Sequence, residues 1–297
     1  MSGDPTVTRV CAGAGHRPAD ALSLPTPGLP GLPRDGFRRT RRRKEGSVCM
    51  SGILIVTGAS RGIGAATALL AARRGYRICV NYHSNKEAAL AVVHAITAEG
   101  GEAIAARADV SRAADVERLF ATVDEQLGVV TALVNNVGIL ETQSRVDQID
   151  EHRLRRILST NVSGQFLCAK EAVLRMSTTH GGAGGAIVNV SSAAARLGSP
   201  FEYVDYAASK GAVDTFTRGL ALEVAAEGIR VNAVRPGFIH TDIHASGGDP
   251  TRVDRLQQEL PMKRGGRPEE VAEAIVWLLS DQATYVTGSF IDLAGGK

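Results

Sequence analysis

Residues 57–64 read Thr-Gly-Ala-Ser-Arg-Gly-Ile-Gly, between a short β-branched run and an apolar stretch with helical spacing. Glycines carry no Cβ, so a backbone rich in them can approach a phosphate group closely. A helix that begins here adds free N–H groups and the positive end of its dipole. In this strand–turn–helix context the stretch indicates a pyrophosphate-binding loop, and a tight turn without a ligand is the alternative. It is not a Walker A loop, because no Gly-Lys-Ser/Thr follows.

From residue 50 onward, strand and helix patterns alternate. We predict strands over 53–57, 77–82, 102–107, 129–134, 186–190, 229–234 and 289–293. We predict helices over 62–74, 85–98, 151–176, 204–227 and 268–280. A further helix is predicted after the third strand, with Ser111 as its N-cap. This alternation requires parallel strands joined by right-handed crossovers, so it predicts one domain with an open, doubly wound α/β sheet. Such sheets bind ligands at the carboxyl ends of their strands, where the strand order reverses.

Residues 241–267 lack this regularity. The segment is polar and contains Gly247-Gly248-Asp249-Pro250. Its length and composition predict a mobile lid over the ligand site.

The composition is that of a globular protein, with 44% apolar and 22% charged residues among 297. No run of 18 or more apolar residues occurs, which argues against a membrane-spanning helix. Only 13 residues are aromatic, which is a poor supply for base stacking. The cysteines at 11, 49, 79 and 168 have no metal-ligand spacing, so we expect reduced cytoplasmic thiols that pack as small apolar groups.

The first 49 residues differ from the rest of the chain. They hold nine basic and four acidic residues, whereas residues 50–297 hold 25 basic and 27 acidic ones. Repeated prolines and the absence of apolar periodicity predict a disordered basic tail. Contact with nucleic acid through the run at 38–44 and a targeting role are the alternatives. Met50 leads directly into the first strand, so we expect it to be the natural start.

Five motifs resemble those of the short-chain dehydrogenase/reductase family, in the same order along residues 50–297. The loop at 57–64 is similar to that family's cofactor loop, and Asp109-Val110 to its adenine contact. Asn135-Asn136-Val137-Gly138 resembles Asn-Asn-Ala-Gly, with Val137 in place of the usual alanine. Tyr206-x-x-x-Lys210 resembles the family signature, and Pro236-Gly237 the turn beside the nicotinamide. The resemblance implies a Rossmann-type fold with about seven strands in the order 3-2-1-4-5-6-7.

Tyr206 and Lys210 are four residues apart on a predicted helix, so they share one face. A tyrosine with an unperturbed pKa of ~10 is a poor acid–base catalyst near neutrality. A neighbouring ammonium stabilises phenolate, so we expect Lys210 to lower the pKa of Tyr206. Tyr206 is therefore the predicted general acid/base, and by resemblance Lys210 also holds the nicotinamide ribose.

The resemblance also implies a serine that polarises the substrate oxygen and an asparagine, Asn161, that holds a water in the proton relay. Ser192 is the better match for the serine, and Ser191 stays open as the alternative. Ser192 precedes Tyr206 by fourteen residues, one more than in many family members, which implies a one-residue insertion in 196–205. Tyr203 lacks a lysine four residues on, so it is not the catalytic tyrosine.

The choice of cofactor depends on the end of the second strand. A carboxylate there would bind the ribose 2′-hydroxyl of NAD and repel a 2′-phosphate. Here Tyr82 takes that place, and Arg61, His83, Ser84 and Asn85 offer cationic and polar donors that suit a phosphate. We therefore expect NADP rather than NAD. The cofactor-binding residues implied are Gly58, Ser60, Arg61, Gly62, Ile63, Gly64, Tyr82, His83, Ser84, Asp109, Val110, Asn136, Gly138, Tyr206, Lys210, Pro236, Gly237, Ile239 and Thr241.

These observations predict an NADP-dependent oxidoreductase that acts on a small-molecule carbonyl or secondary alcohol. A 3-oxoacyl-carrier-protein reductase is the narrower alternative, and a redox-sensing NADP-binding regulator without turnover is another. We expect a cytoplasmic protein with no nucleic-acid or membrane partner and no catalytic metal, since His240 and His244 lack a third ligand. The resemblance implies a homotetramer packed through residues 264–271 and 295–297. Four candidates for the substrate entrance are Glu141, Phe201, Phe238 and His244.

Overall fold

The computed structural model describes residues 52–297. The predictions for the tail of residues 1–49, for Met50, for Cys11 and for Cys49 lie outside the described residues. Within the described range, no helix is long and apolar enough to cross a membrane.

Seven parallel strands form one sheet in the order β3-β2-β1-β4-β5-β6-β7, which confirms the predicted architecture. β1 lies at the centre, between β2 and β4, and the chain leaves it on one side and returns on the other. The strand order therefore reverses at the carboxyl end of β1, beside the glycine loop. The strands are β1 Gly52–Val56, β2 Tyr76–Tyr82, β3 Ala103–Arg107, β4 Ala132–Asn135, β5 Gly185–Val190, β6 Ile229–Pro236 and β7 Phe290–Leu293.

Helices cover both faces of the sheet. Alternate residues of a strand point to opposite faces, so Leu54 and Val56 of β1 join one core cluster while Ile53 and Ile55 join the other. The helices are α1 Gly62–Arg73, α2 Lys86–Ala98, α3 Ala113–Gln126, α4 Glu151–Leu158, α5 Gly164–Met176, α6 Ala194–Leu197, α7 Val204–Val224, α8 Ile243–Ser246, α9 Arg252–Leu256 and α10 Pro268–Leu279.

Cys79 and Cys168 are buried among the apolar side chains of the second cluster. Burial raises the pKa of both thiols to about 12, so they stay protonated near neutrality. Both cysteines pack as small apolar groups, as expected.

Two of the predicted helices differ from the structure in more than an end residue. Ser111 does not cap α3, because its hydroxyl donates a hydrogen bond of 2.7 Å to Asp109 and the helix begins at Ala113. The helix predicted over 151–176 is interrupted by one π-helical turn at Ser159–Ser163. A single π-helical turn has wider hydrogen-bond spacing than the α-helix around it and leaves no signal in hydrophobic periodicity. Such turns are frequent at functional sites.

The lid segment is more ordered than its composition indicates, since it contains α8 and α9. Its residues are tied to the loop that precedes α7. The Tyr203 hydroxyl donates to the Gly247 carbonyl at 3.1 Å, and Arg252 pairs with Glu202 at 2.8 Å. The segment is therefore less irregular than expected, because contacts from a distant loop stabilise two short helices there. Its mobility and its role as a lid stay predictions.

Candidate active site

A cavity of about 890 Å³ opens at the carboxyl ends of the strands, at the point where the strand order reverses. That volume is in the range of cofactor and small-molecule sites. Its wall includes every predicted catalytic and cofactor-binding residue except Gly64 and Asn161, which lie behind it. The sequence motifs, spread over about 180 residues from Gly58 to Thr241, thus meet in one place.

The glycine loop has the backbone geometry of a phosphate cradle. Gly58 and Gly62 have φ values of +61° and +56°, in the left-handed region that favours glycine. A Cβ on Gly64 would lie 2.6 Å from the Gly58 carbonyl oxygen, so only glycine lets the first turn of α1 pack this closely. The amino terminus of α1 faces the cavity through Gly62 and Ile63. This arrangement fits the pyrophosphate of a dinucleotide.

Two asparagines hold the loop in this shape. The Gly58 N–H donates to Asn81 Oδ1 at 3.1 Å, and the Asn136 amide donates to the carbonyls of Thr57 and Gly58 at 2.9 and 3.1 Å. Asn81 is a functional residue that the motif comparison missed. The sequence shows a polar residue, Asn81, inside the apolar run of β2. A buried amide needs hydrogen-bond partners, so this position could have been recognised from the sequence.

At the end of the cavity beside β2, Tyr82 is buried and the predicted phosphate donors Arg61, His83 and Ser84 are exposed. Arg61 lies 3.7 Å from Asp242 of the lid, and the His83 ring lies 3.9 Å from Asp109. An exposed pair at such a distance is weak, so the Arg61 guanidinium is available for a phosphate.

Asn85 contributes less at this end than predicted. Its side-chain oxygen caps α2 by accepting a hydrogen bond of 2.9 Å from the Ala88 N–H. Because the side-chain oxygen is used in capping, only the side-chain NH₂ of Asn85 remains to contact a phosphate.

At the opposite end, Lys210 is buried and lines the cavity. Its ammonium donates to the Val190 carbonyl at 2.7 Å and lies 5.6 Å from the centre of the Tyr206 ring. A Cβ on Gly138 would come within 3.2 Å of the same nitrogen. The helical spacing in α7 therefore places both side chains on one face, as predicted.

The pKa of Tyr206 differs from the expectation. Burial raises it, and the hydrogen bond with the Ser192 side chain lowers it by less. Burial also lowers the pKa of Lys210 to about 8, against the opposing charge of Asp214. The predicted lowering of the Tyr206 pKa is therefore wrong for the protein alone, because burial outweighs the hydrogen bond with Ser192. A protonated Tyr206 is an acid ready to donate.

The two candidate serines point in different directions. The Ser191 hydroxyl is buried and donates to the Lys210 carbonyl at 3.2 Å. The Ser192 hydroxyl accepts from the Ala194 N–H at 3.1 Å and forms the hydrogen bond with Tyr206. Only Ser192 of the pair is thus bonded to the tyrosine hydroxyl.

Asn161 lies in the π-helical turn and is fully buried. Its side chain accepts from the Ile139 N–H at 2.7 Å and donates to the Ile139 carbonyl at 3.0 Å. A further bond of 3.1 Å reaches Ser209. The side chain is therefore committed to the segment after β4 and to Ser209, and the role of Asn161 in holding a water stays a prediction.

On the substrate side, Glu141, Phe238 and His244 line the cavity and Phe201 does not. Phe201 is 75% exposed and has a φ of +63°, so the loop that precedes α7 turns it outward. Sequence reasoning missed Arg156 and Arg252, which line the same wall. Each was an ordinary charged residue in the sequence, and only folding places it here.

Of the two histidines at 240 and 244, His244 has a partner other than a metal ion. The His244 ring bonds to the Ile239 carbonyl at 3.0 Å. Among residues 52–297, no three His, Cys, Asp or Glu side chains are grouped so that they could hold a metal ion.

Comparisons with known proteins found a matching family model and similar oxidoreductases. A family model described as enoyl-(acyl carrier protein) reductase matches residues 58–297. The uncharacterized oxidoreductase YgfF of Escherichia coli K12 is 62% identical over 245 residues, which is 82% of this chain and 99% of the relative. The 3-oxoacyl-(acyl-carrier-protein) reductase FabG of Staphylococcus epidermidis is 37% identical over 242 residues, 82% of this chain and 97% of the relative. A short-chain dehydrogenase from Burkholderia cenocepacia J2315, solved in complex with NADP, superposes with a TM-score of 0.75 at 31% identity, over 82% of this chain and 96% of that one.

Proposed function

The chain belongs to the short-chain dehydrogenase/reductase family of oxidoreductases, and on this premise we propose that it reduces a carbonyl compound, or oxidises the matching secondary alcohol, with NADP. The observation that carries the proposal is the meeting of Tyr206, Ser192 and Lys210 in the cavity that begins at the glycine loop.

Each of the three side chains has a distinct task in the proposed reaction. The bound cofactor supplies or takes up the hydride. During reduction Tyr206 donates its proton to the carbonyl oxygen, and the Ser192 hydroxyl donates a hydrogen bond to the same oxygen. The Lys210 ammonium binds ribose hydroxyls and stabilises the phenolate that Tyr206 becomes. Oxidation of an alcohol runs through the same groups in reverse.

Asn161 and Asn136 act as positioning residues in this proposal. Asn161 fixes the backbone beside Gly138, against which the Lys210 ammonium lies. Asn136 joins that segment to the glycine loop.

The reduction is expected to become slower as the pH rises through about 8, because Lys210 then loses its charge. Asp214 lies one turn further along α7, and its charge raises the pKa of Lys210. The Asp214→Asn variant therefore has a lower Lys210 pKa, and its activity falls at lower pH than in the wild type. The pH dependence of kcat/KM checks this, with Glu223→Gln on the exposed side of α7 as the control. An unchanged profile, or a shift to higher pH, contradicts it.

The preference for NADP is proposed to depend on Arg61. The Arg61→Ala variant is expected to bind NADPH about tenfold more weakly and NADH with unchanged affinity, because only the former has a 2′-phosphate. Fluorescence titration of both nucleotides measures this, and Arg74→Ala removes another exposed arginine, directly after α1, as the control. Equal losses for the two nucleotides would contradict the assignment.

The first test of the function is cofactor binding and turnover by the purified protein. NADPH and NADH are titrated, and a panel of aldehydes and ketones is then followed by cofactor absorbance. Tighter binding of NADPH together with turnover supports the proposal. Tight binding without turnover on a broad panel favours the regulator, and failure to bind either nucleotide rejects both.

A 3-oxoacyl-carrier-protein reductase is the second candidate. It is favoured by the identity of 37–38% to several proteins of that name. The proposed site of action is the cytoplasm, in keeping with the free thiols of Cys79 and Cys168.

We also propose a homotetramer. Leu154 and Leu158 of α4 and Phe166 and Leu174 of α5 expose large apolar side chains on neighbouring helices. Adjacent exposed side chains of this kind are typical of a surface that another subunit covers.

A further inference from the structure

The substrate side of the cavity contains two arginines, and each is paired with a glutamate. Arg156 of α4 contacts Glu141, the third residue after Gly138. Arg252 of α9 binds Glu202 through both of its terminal nitrogens, one of them at 2.8 Å. Bidentate pairing of this kind is among the stronger forms of the interaction. The positive charges on this wall are therefore already compensated by the protein.

Arg252 cannot turn away from its partner easily. Its side chain is 8% exposed and lies 4.9 Å from the centre of the Tyr203 ring and 5.4 Å from that of Phe238. The hydrogen bond from Arg252 lowers the pKa of Glu202, so this carboxyl is ionised. Both rings and the carboxylate hold the guanidinium in one position.

The other titratable groups on this side are neutral or committed elsewhere. The His244 Nε2 faces the Ile239 carbonyl and so carries the hydrogen, and burial lowers the pKa of the ring. Tyr206 is protonated, as argued above. The Lys210 ammonium donates to the Val190 carbonyl. The Lys297 ammonium lies 5.0 Å from the centre of the Phe238 ring, but Lys297 is not among the residues that line the cavity. Among the described residues that do line the substrate wall, no cation is left without a partner for a carboxylate to bind.

We propose that Glu141 and Glu202 are specificity-determining residues, which pair with the cavity arginines so that the site accepts uncharged carbonyl compounds and rejects the corresponding oxo acids. This inference rests on the proposed reductase function. A carboxylate in the cavity must either lie unpaired beside Glu141 or displace a glutamate from its arginine, and both are unfavourable. An oxo ester of similar shape meets neither obstacle.

Matched pairs of substrates test the inference on the full-length protein with NADPH. Suitable pairs are ethyl acetoacetate with acetoacetate, ethyl levulinate with levulinate, and ethyl pyruvate with pyruvate. The wild type is expected to reduce the esters with a kcat/KM at least ~10-fold above that of the acids. Equal or better use of the acids overturns the inference, whereas turnover of no pair with either cofactor overturns the proposed function and the inference with it.

Charge removal tests the two glutamates individually. Glu141→Gln leaves Arg156 without its partner, so the ratio of acid to ester kcat/KM is expected to rise ~10-fold. Glu202→Gln does the same for Arg252 and provides a second variant if the first does not fold. Glu151→Gln is the control, since it removes the same charge from an exposed pair with Arg155 on α4. A ratio that stays at the wild-type value in both cavity variants overturns the assignment.

Discussion

Replacing Tyr206 with phenylalanine is expected to lower kcat by about 10³–10⁴-fold while the affinity for NADPH changes little. The variant keeps the ring that lines the cavity and loses only the hydroxyl that bonds to Ser192. Proton transfer to the substrate oxygen then has no donor in the protein, whereas the glycine loop that holds the cofactor is untouched. Steady-state kinetics on any substrate from the panel, with NADPH titration alongside, measures both quantities.

Tyr203→Phe is the matched control for this variant. Tyr203 lines the same cavity three residues earlier, but its hydroxyl donates to the Gly247 carbonyl of the lid. Loss of one such bond costs about 1 kcal/mol, so activity is expected to stay within about tenfold of the wild type. Comparable losses in the two variants, or substantial turnover by Tyr206→Phe, would show that Tyr206 is not the acid.

Lys210→Met is expected to abolish measurable turnover and to weaken cofactor binding while the protein stays folded. The lowering of the Lys210 pKa from 10.5 to about 8 by burial means that the charged side chain costs about 3 kcal/mol in the fold near neutral pH. Methionine removes that cost, and the Val190 carbonyl loses its donor, which costs about 1–3 kcal/mol. The free energy of unfolding is therefore expected to stay within about 2 kcal/mol of the wild type.

Thermal or urea unfolding, NADPH titration and kinetics on the same preparations test this separation of activity from stability. Lys170→Met on α5 is the control, because Lys170 is exposed and pairs only with Glu171 at 3.6 Å. A variant that unfolds would assign Lys210 a structural role. A variant that keeps its activity would remove Lys210 from the mechanism.

Much of the site was predictable because its key features are local in sequence. The loop at 57–64 needs only its glycines and a neighbouring helix to form a phosphate cradle. Tyr206 and Lys210 need only helical spacing to lie together. Only the structure distinguishes Ser192 from Ser191. The two serines are adjacent at the end of a strand, and their hydroxyls bond to different groups, Ser191 to the Lys210 carbonyl and Ser192 to Tyr206.

The predictions that failed concern groups whose surroundings come from distant segments. The pKa of Tyr206 is raised rather than lowered, because burial of the hydroxyl is the largest influence on it. Phe201 does not line the cavity, and its loop has a left-handed backbone at Ser199 and at Phe201.

The sequence by itself determined the alternation of strand and helix, the order of the motifs and the chemistry at the centre of the site. Those features follow from spacing along a few residues, which backbone geometry converts directly into structure. Only the tertiary structure decided that Arg252 pairs with Glu202, fifty positions away, and lines the cavity together with Glu141 and Arg156. Charge pairing and burial depend on which distant segments meet, and no local pattern in the chain records that.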